Sequence, residues 1–195
     1  MEKQVRKLFP TVVHYYRDVL SPPQLHSVLE YCLAVDATAH EAFVGPAVSS
    51  HRRGATLLDD LEERCPPVRG LKAGLSRLVA AYAEEVGFDN VRISNSWFNI
   101  QRPGSVLKHH VHPDSRVSAA LCIQSDERSS KLYLENPNPF LNLIRPDRYT
   151  ESTFELVKYQ LAPGDLVLFP SWIKHGSGFE ANESDLRVVI SLNAQ

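Results

Sequence analysis

The chain has 195 residues, of which 43% are hydrophobic and 23% charged, with a formal net charge of -2. That length buries a full core as one domain, and the composition is that of a soluble globular protein. The near-neutral balance argues against a general binder of nucleic acid or anionic membrane, which needs a basic surface, and no apolar run approaches the ~20 residues that span a bilayer.

Phe9 to Tyr16 reads as a short lead-in strand. Ser21-Pro22-Pro23-Gln24 then carries helix-start chemistry. Ser caps, Pro suits the first helical position, and Gln closes a capping box. Leu25, Val28, Leu29, Cys32 and Leu33 follow at i, i+3, i+4 spacing, the stripe of a helix with one buried face. Residues 36–55, rich in Ala, Ser, Gly and His, read as loop, with His40 and His51 at the surface. A second helix is expected from about Pro67 to Val86 on the stripe Leu71, Leu75, Leu78, Val79, Tyr82 and Val86, stopped by Gly87.

From Val91 the pattern changes to strands. They are expected at 91–101, 106–112, 116–123, 131–135, 153–161, 165–169 and 186–192, separated by turn chemistry such as Pro103-Gly104 and Pro163-Gly164. Such a series predicts a β-sandwich or barrel. No repeat, low-complexity tract or linker divides the chain. Residues 1–195 therefore read as a single domain, with a helical part over 1–90 and a β core over 91–195, the two helices buttressing one sheet face. Three cysteines, Cys32, Cys65 and Cys122, lack C-x-x-C spacing and are odd in number, which fits a reducing compartment. The first residues lack the apolar segment of a signal peptide. A cytoplasmic location is expected.

The chemistry concentrates between residues 97 and 123. His109, His110 and His112 fall within four residues, and Asp114 follows. In a strand, residues i and i+2 share a face, so His110 and His112 point one way and His109 the other. Pro113 ends the strand, and Asp114 can curl back toward the same face. Two such ligands plus one distant histidine make the three-ligand face typical of non-haem Fe(II), with the opposite positions open. The distant candidate is His175, emerging after the apolar strand 165–169. Arg187 stands among Leu, Val and Ile, an expensive place for a cation unless it meets an anion, and a bidentate carboxylate is its natural partner.

In this order, Gly104 six residues before His110, then Gly164-Asp165, His175 and Arg187, the sequence resembles the 2-oxoglutarate/Fe(II)-dependent oxygenases, and prolyl-4-hydroxylase-type members above all. It is similar to a bacterial and phage group with Trp-x-Asn, His-x-His-Pro-x-Ser and Phe-Pro-Ser-Trp-x-x-His, here Trp97-Phe98-Asn99, His110 to Ser115 and Phe169 to His175. The resemblance covers roughly residues 66–193. It implies a double-stranded β-helix (jelly-roll or cupin-like), Fe(II), 2-oxoglutarate and O2, with His175 as distal ligand and Arg187 anchoring the far carboxylate of 2-oxoglutarate. The implied reaction is hydroxylation of a small-molecule or peptide substrate, with release of succinate and CO2.

The proximal ligands stay open between His110 with His112 and the more usual His112 with Asp114. Asn99, Ser118, Tyr133 and Ser191 are candidates to contact the co-substrate, and Glu135 to line the substrate side. Two other readings remain: a cupin-like three-histidine dioxygenase that needs no 2-oxoglutarate, and a non-catalytic metal- or ligand-binding β-barrel.

Overall fold

A computed structural model describes residues 2–195 apart from 6, 53, 139, 141, 142, 144 and 145. Strand β1 (His14–Tyr16) leads into helix α1 (Pro22–Ala34). The helix starts as its sequence demands, with Pro in the first turn and the Ser21 backbone N–H donating to Gln24 Oε1 at 2.9 Å. Two further helices follow, α2 (Leu57–Arg64) and α3 (Leu71–Glu85), with a 3-10 turn (Pro66–Val68) between them.

The expected pair of helices is thus corrected to three. Helix α2 has only eight residues, five of them charged, so its apolar stripe Leu57, Leu58, Leu61 is too short for a period to stand out. Helix α3 begins later than expected because residues 66–68 are spent in the 3-10 turn and Gly70 takes a left-handed φ of 87° just ahead of it.

The rest is mainly β. The strands are β2 (Phe43–Val44), β3 (Ala47–Ser49), β4 (Ile93–Gln101), β5 (Val106–Leu107), β6 (Val117–Gln124), β7 (Leu132–Glu135), β8 (Leu156–Tyr159), β9 (Leu166–Pro170), β10 (His175–Gly176) and β11 (Arg187–Ala194). They form a six-stranded sheet in the order β1-β9-β6-β11-β4-β3, a three-stranded sheet β10-β7-β8, and the pair β2-β5. The stretch 36–55, expected as loop, contributes β2 and β3, which are too short to carry an alternation. The expected strand 106–112 stops at Leu107. Its continuation touches the small sheet through one bridge, His110 to His175.

Side-chain alternation gives the large sheet two different faces. Phe98, Ile100, Val188, Ile190 and Leu192 pack against the helices in one core. Ala120, Cys122, Val167, Phe169 and Val189 pack with Leu132 and Leu134 of the small sheet in a second. Each fully buried Leu, Ile, Val or Phe contributes about 1.5–3 kcal/mol. The candidate side chains Asn99, Arg187 and Ser191 lie on the second face, and the helices back the first. Among the described residues no helix is long and apolar enough to cross a membrane.

Candidate metal centre and its pocket

His110, His112 and His175 converge. One ring nitrogen from each lies within 4.8 Å of the others, and the ring centroids are 4.9, 4.4 and 5.1 Å apart. Backbone bonds produce this convergence. The His110 N–H donates to the His175 carbonyl at 2.9 Å, the reverse bond is 3.0 Å, and the His112 N–H donates to the Ser171 carbonyl at 2.9 Å.

The tautomers follow from the neighbours. A carbonyl can only accept, so His110 Nδ1–H donates to Lys108 O at 2.8 Å and His175 Nδ1–H to Ile173 O at 3.0 Å. The Nε2 lone pairs of both rings are left for a metal. Burial, reinforced by the neighbouring imidazoles, pushes His175 down to about 3 and His112 to about 4. Burial lowers His110 as well. Near neutral pH these are uncharged imidazoles, the form that binds a metal. This donor set fits a divalent transition ion with open coordination positions. Asp114 is not part of the cluster: it is exposed, and its backbone carbonyl accepts from Gln195 Nε2 at 2.6 Å.

The three histidines line a cavity of about 430 Å³ whose other walls include Trp97, Asn99, Phe169, Arg187 and Ser191. Arg187 is 8% exposed and donates to Gln101 Oε1. Burial lowers its pKa. Among the described residues it forms no salt bridge. A guanidinium carries five donors, so one amide oxygen leaves most of them for an anion in the cavity. That fits a carboxylate of a keto diacid.

Asn99 is oriented by its neighbours. Its Oδ1 accepts from Ser49 Oγ at 2.7 Å and its Nδ2 donates to Ser191 Oγ at 3.2 Å. Ser191 therefore keeps its own proton for a ligand.

Two candidates lie elsewhere. Ser118 bonds Ser171 Oγ and Asn193 Oδ1, each at 2.8 Å, and is spent holding the β6, β11 and 171 segments together. Tyr133 alternates with the inward Leu132 and Leu134, so it faces the far side of the small sheet, 5.8 Å from the Phe179 ring. Neither lines the cavity, and nor does Glu135, expected on the substrate side, whose carboxylate is taken up by His109 and Lys174.

His40 and His51, expected at the surface, are half-buried and line the cavity. The Ala42 N–H donates to His40 Nδ1 at 3.1 Å, so the proton of neutral His40 is on Nε2. That nitrogen is 3.1 Å from His51 Nδ1, which must accept. His51 is left with an Nε2–H, and its ring stands edge-on to Trp97 at 4.7 Å. Only the folded chain brings residues 40 and 51 over Trp97, and no local signal announced it.

The cavity can be set beside known proteins. The model of the family described as "Putative 2OG-Fe(II) oxygenase" matches residues 95–193. A search by sequence against curated proteins finds no significant match. Solved structures with the same fold include a prolyl-4-hydroxylase from Pseudomonas putida, 14% identical, with 95% of this chain and 92% of that chain covered at a TM-score of 0.62. HygX from Streptomyces hygroscopicus, solved with nickel and 2-oxoglutarate bound, is 16% identical, with coverage of 94% and 82% and a TM-score of 0.61. A Trichoplax adhaerens prolyl hydroxylase in complex with a hypoxia inducible factor oxygen degradation domain peptide is 16% identical, with coverage of 93% and 82% and a TM-score of 0.63.

Proposed function

This chain belongs to the 2OG-Fe(II) oxygenase family, and on that premise we propose that it is an Fe(II)- and 2-oxoglutarate-dependent dioxygenase that hydroxylates a small-molecule or peptide substrate. The observation that carries the reading is one cavity with a cluster of neutral imidazoles and a buried, carboxylate-free guanidinium in its walls. The two facing sheets are, on this reading, a double-stranded β-helix.

His110, His112 and His175 hold the iron through three nitrogens. Arg187, with Gln101 behind it, binds the far carboxylate of 2-oxoglutarate. Asn99 and Ser191 supply oriented polar contacts on the same wall. Bound there, Fe(II) and 2-oxoglutarate would supply the activation of O2, with succinate and CO2 as the co-products of hydroxylation. The chain positions the reactants and keeps water out, with Trp97, Phe169 and Val189 as apolar walls. His51 offers its Nε2–H to an acceptor on the substrate. The molecules bound in two neighbours, a peptide in one and hygromycin B in HygX, bracket the classes to screen.

The all-nitrogen donor set favours one second reading, a three-histidine dioxygenase independent of 2-oxoglutarate. A single titration separates the two. Adding 2-oxoglutarate anaerobically to the Fe(II) form is expected to produce a visible charge-transfer band, absent in His110→Ala. A wild-type protein that binds iron and shows no band refutes the first reading in favour of the second.

A further inference from the structure

The far face of the small sheet carries a carboxylate, Glu135, that does not line the cavity, although its partner His109 does. His110 bridges His175 in antiparallel register, and His175 pairs Leu134 of β7. Extended by one residue in each direction, that register sets His109 beside Gly176 and Tyr133, and Lys174 beside Glu135. The inward row is His110, His175 and Leu134. The outward residues are one step away from the metal ligands on each segment.

On that outward face, Glu135 Oε1 accepts from His109 Nδ1–H and from Lys174 Nζ, the latter at 3.2 Å. His109 immediately precedes His110, and Lys174 immediately precedes His175. One carboxylate oxygen thus ties together the residues that lead into two metal ligands distant in the chain. To reach it, the His109 ring lies across the backbone of β10. A Cβ at Gly176 would stand 2.6 Å from His109 Cδ2, and one at Gly178 would stand 2.8 Å from the same atom. Two glycines leave the space in which the ring crosses.

The other nitrogen of the ring, His109 Nε2, is buried and has no partner. A phenyl ring would fill the same space without burying an unpaired nitrogen. Among the described residues, the only hydrogen bond the ring makes is therefore the one to Glu135. Burial pushes the Glu135 carboxyl up, but the bonds from His109 and Lys174 outweigh it and hold the group below the usual carboxylate range. The carboxylate is charged near neutral pH.

We propose that Glu135 is a positioning residue of the metal centre: by binding His109 and Lys174 together on the back of the sheet, it sets the spacing of His110 and His175 on the front. The proposal rests on the reading that His110, His112 and His175 hold the metal. Regular pairing is short at this place, since β5 ends at Leu107 and β10 has two residues. Backbone bonds from Glu135 N–H to Lys174 O at 2.8 Å and from Ser177 N–H to Leu107 O at 2.9 Å continue the pairing, and the Glu135 side chain adds a tie on the back of it.

The test uses Co(II) alone, added to the whole protein without keto acid or substrate. Glu135→Ala and His109→Phe are each expected to weaken cobalt binding about tenfold, the low end for outer partners of metal ligands. Each is also expected to change the intensity and position of the cobalt d–d bands, which a loss of stability alone does not alter in the folded fraction. The double variant is expected to be no worse than either single one, because the two residues act through one bond. Glu135→Gln keeps the acceptor oxygen and the shape. It is expected to recover most of the spectrum, and His109→Phe carries the test if the alanine variant fails to fold. Unchanged affinity and spectrum in His109→Phe, and in Glu135→Ala where it folds, with cobalt lost in His110→Ala, overturns the clamp and leaves the three-histidine reading standing. Cobalt retained in His110→Ala overturns that reading and the clamp with it.

Discussion

Arg187 and His175 line the same cavity but are held in different ways. Arg187 opens an eight-residue strand that pairs along both edges, with β4 on one side and β6 on the other. Its direction follows from alternation, since Arg187, Val189 and Ser191 share the cavity face while Val188 and Ile190 enter the helix-backed core. His175 opens a two-residue strand, and His110 meets it through an isolated bridge. A long ladder holds a side chain through many backbone bonds, each adding a little. A short one relies on particular contacts, here the crossed His110–His175 bonds and the Glu135 tie. The large sheet should therefore fail through lost packing, and the small one through lost geometry.

The hardest blow to the large sheet is Phe98→Ala. Phe98 is fully buried between β4 and the helices, and its truncation is expected to cost about 3–5 kcal/mol in denaturant unfolding. Cobalt affinity of the fraction that remains folded should not change. A large loss of metal affinity there would erase the contrast between the two sheets.

Next in size is Arg187→Ala, which removes the cation from the cavity wall but leaves the histidines in place. 2-Oxoglutarate binding is expected to weaken by about 2–5 kcal/mol, the range for truncating one partner of a buried charge pair. An anaerobic titration of the metal-loaded protein measures it, and cobalt affinity without keto acid should match the wild type. Equal keto-acid affinity in the variant would remove Arg187 from the site.

The third effect is a slope, and it belongs to the small sheet. In the metal-free protein His175 is held at about 3 and His112 at about 4, against an ordinary 6.5. Between those values and 6.5 the unfolded chain binds more protons than the folded one. Stability is therefore complete above about pH 6.5 and falls as the pH drops through that window. Thermal melts from pH 7 to pH 4 should show it, with a shallower slope in His175→Ala. A flat metal-free profile would mean that the histidines are not buried as described.

Much of this was legible in the chain before folding. The turn pairs Pro103-Gly104 and Pro163-Gly164 fall between strands, and β4, β6, β9 and β11 lie within a residue or two of their expected bounds. Helix α2 was hidden because eight residues hold barely two turns of an apolar period. Tyr133 was misplaced because the inward parity of a four-residue strand depends on what its neighbours bury, and here Leu132 and Leu134 took the core. Ser118 shares the inward face with Ala120 but is occupied by Ser171 and Asn193, partners that only the sheet register supplies. His40 and His51 gave no periodic signal at all, because their role depends on a loop lying over Trp97.

By itself the sequence determined the longer period-2 strands and the cost of an arginine among aliphatic residues, since these depend only on local geometry and on the solvation of charge. The tertiary structure decided which groups meet. It drew His175 to His110 by two backbone bonds and left Asp114 in solvent. It also joined His109 and Glu135, 26 residues apart, behind the histidine cluster. Contacts between segments far apart in the chain are set by register, and register is a property of the packed sheets rather than of any one strand.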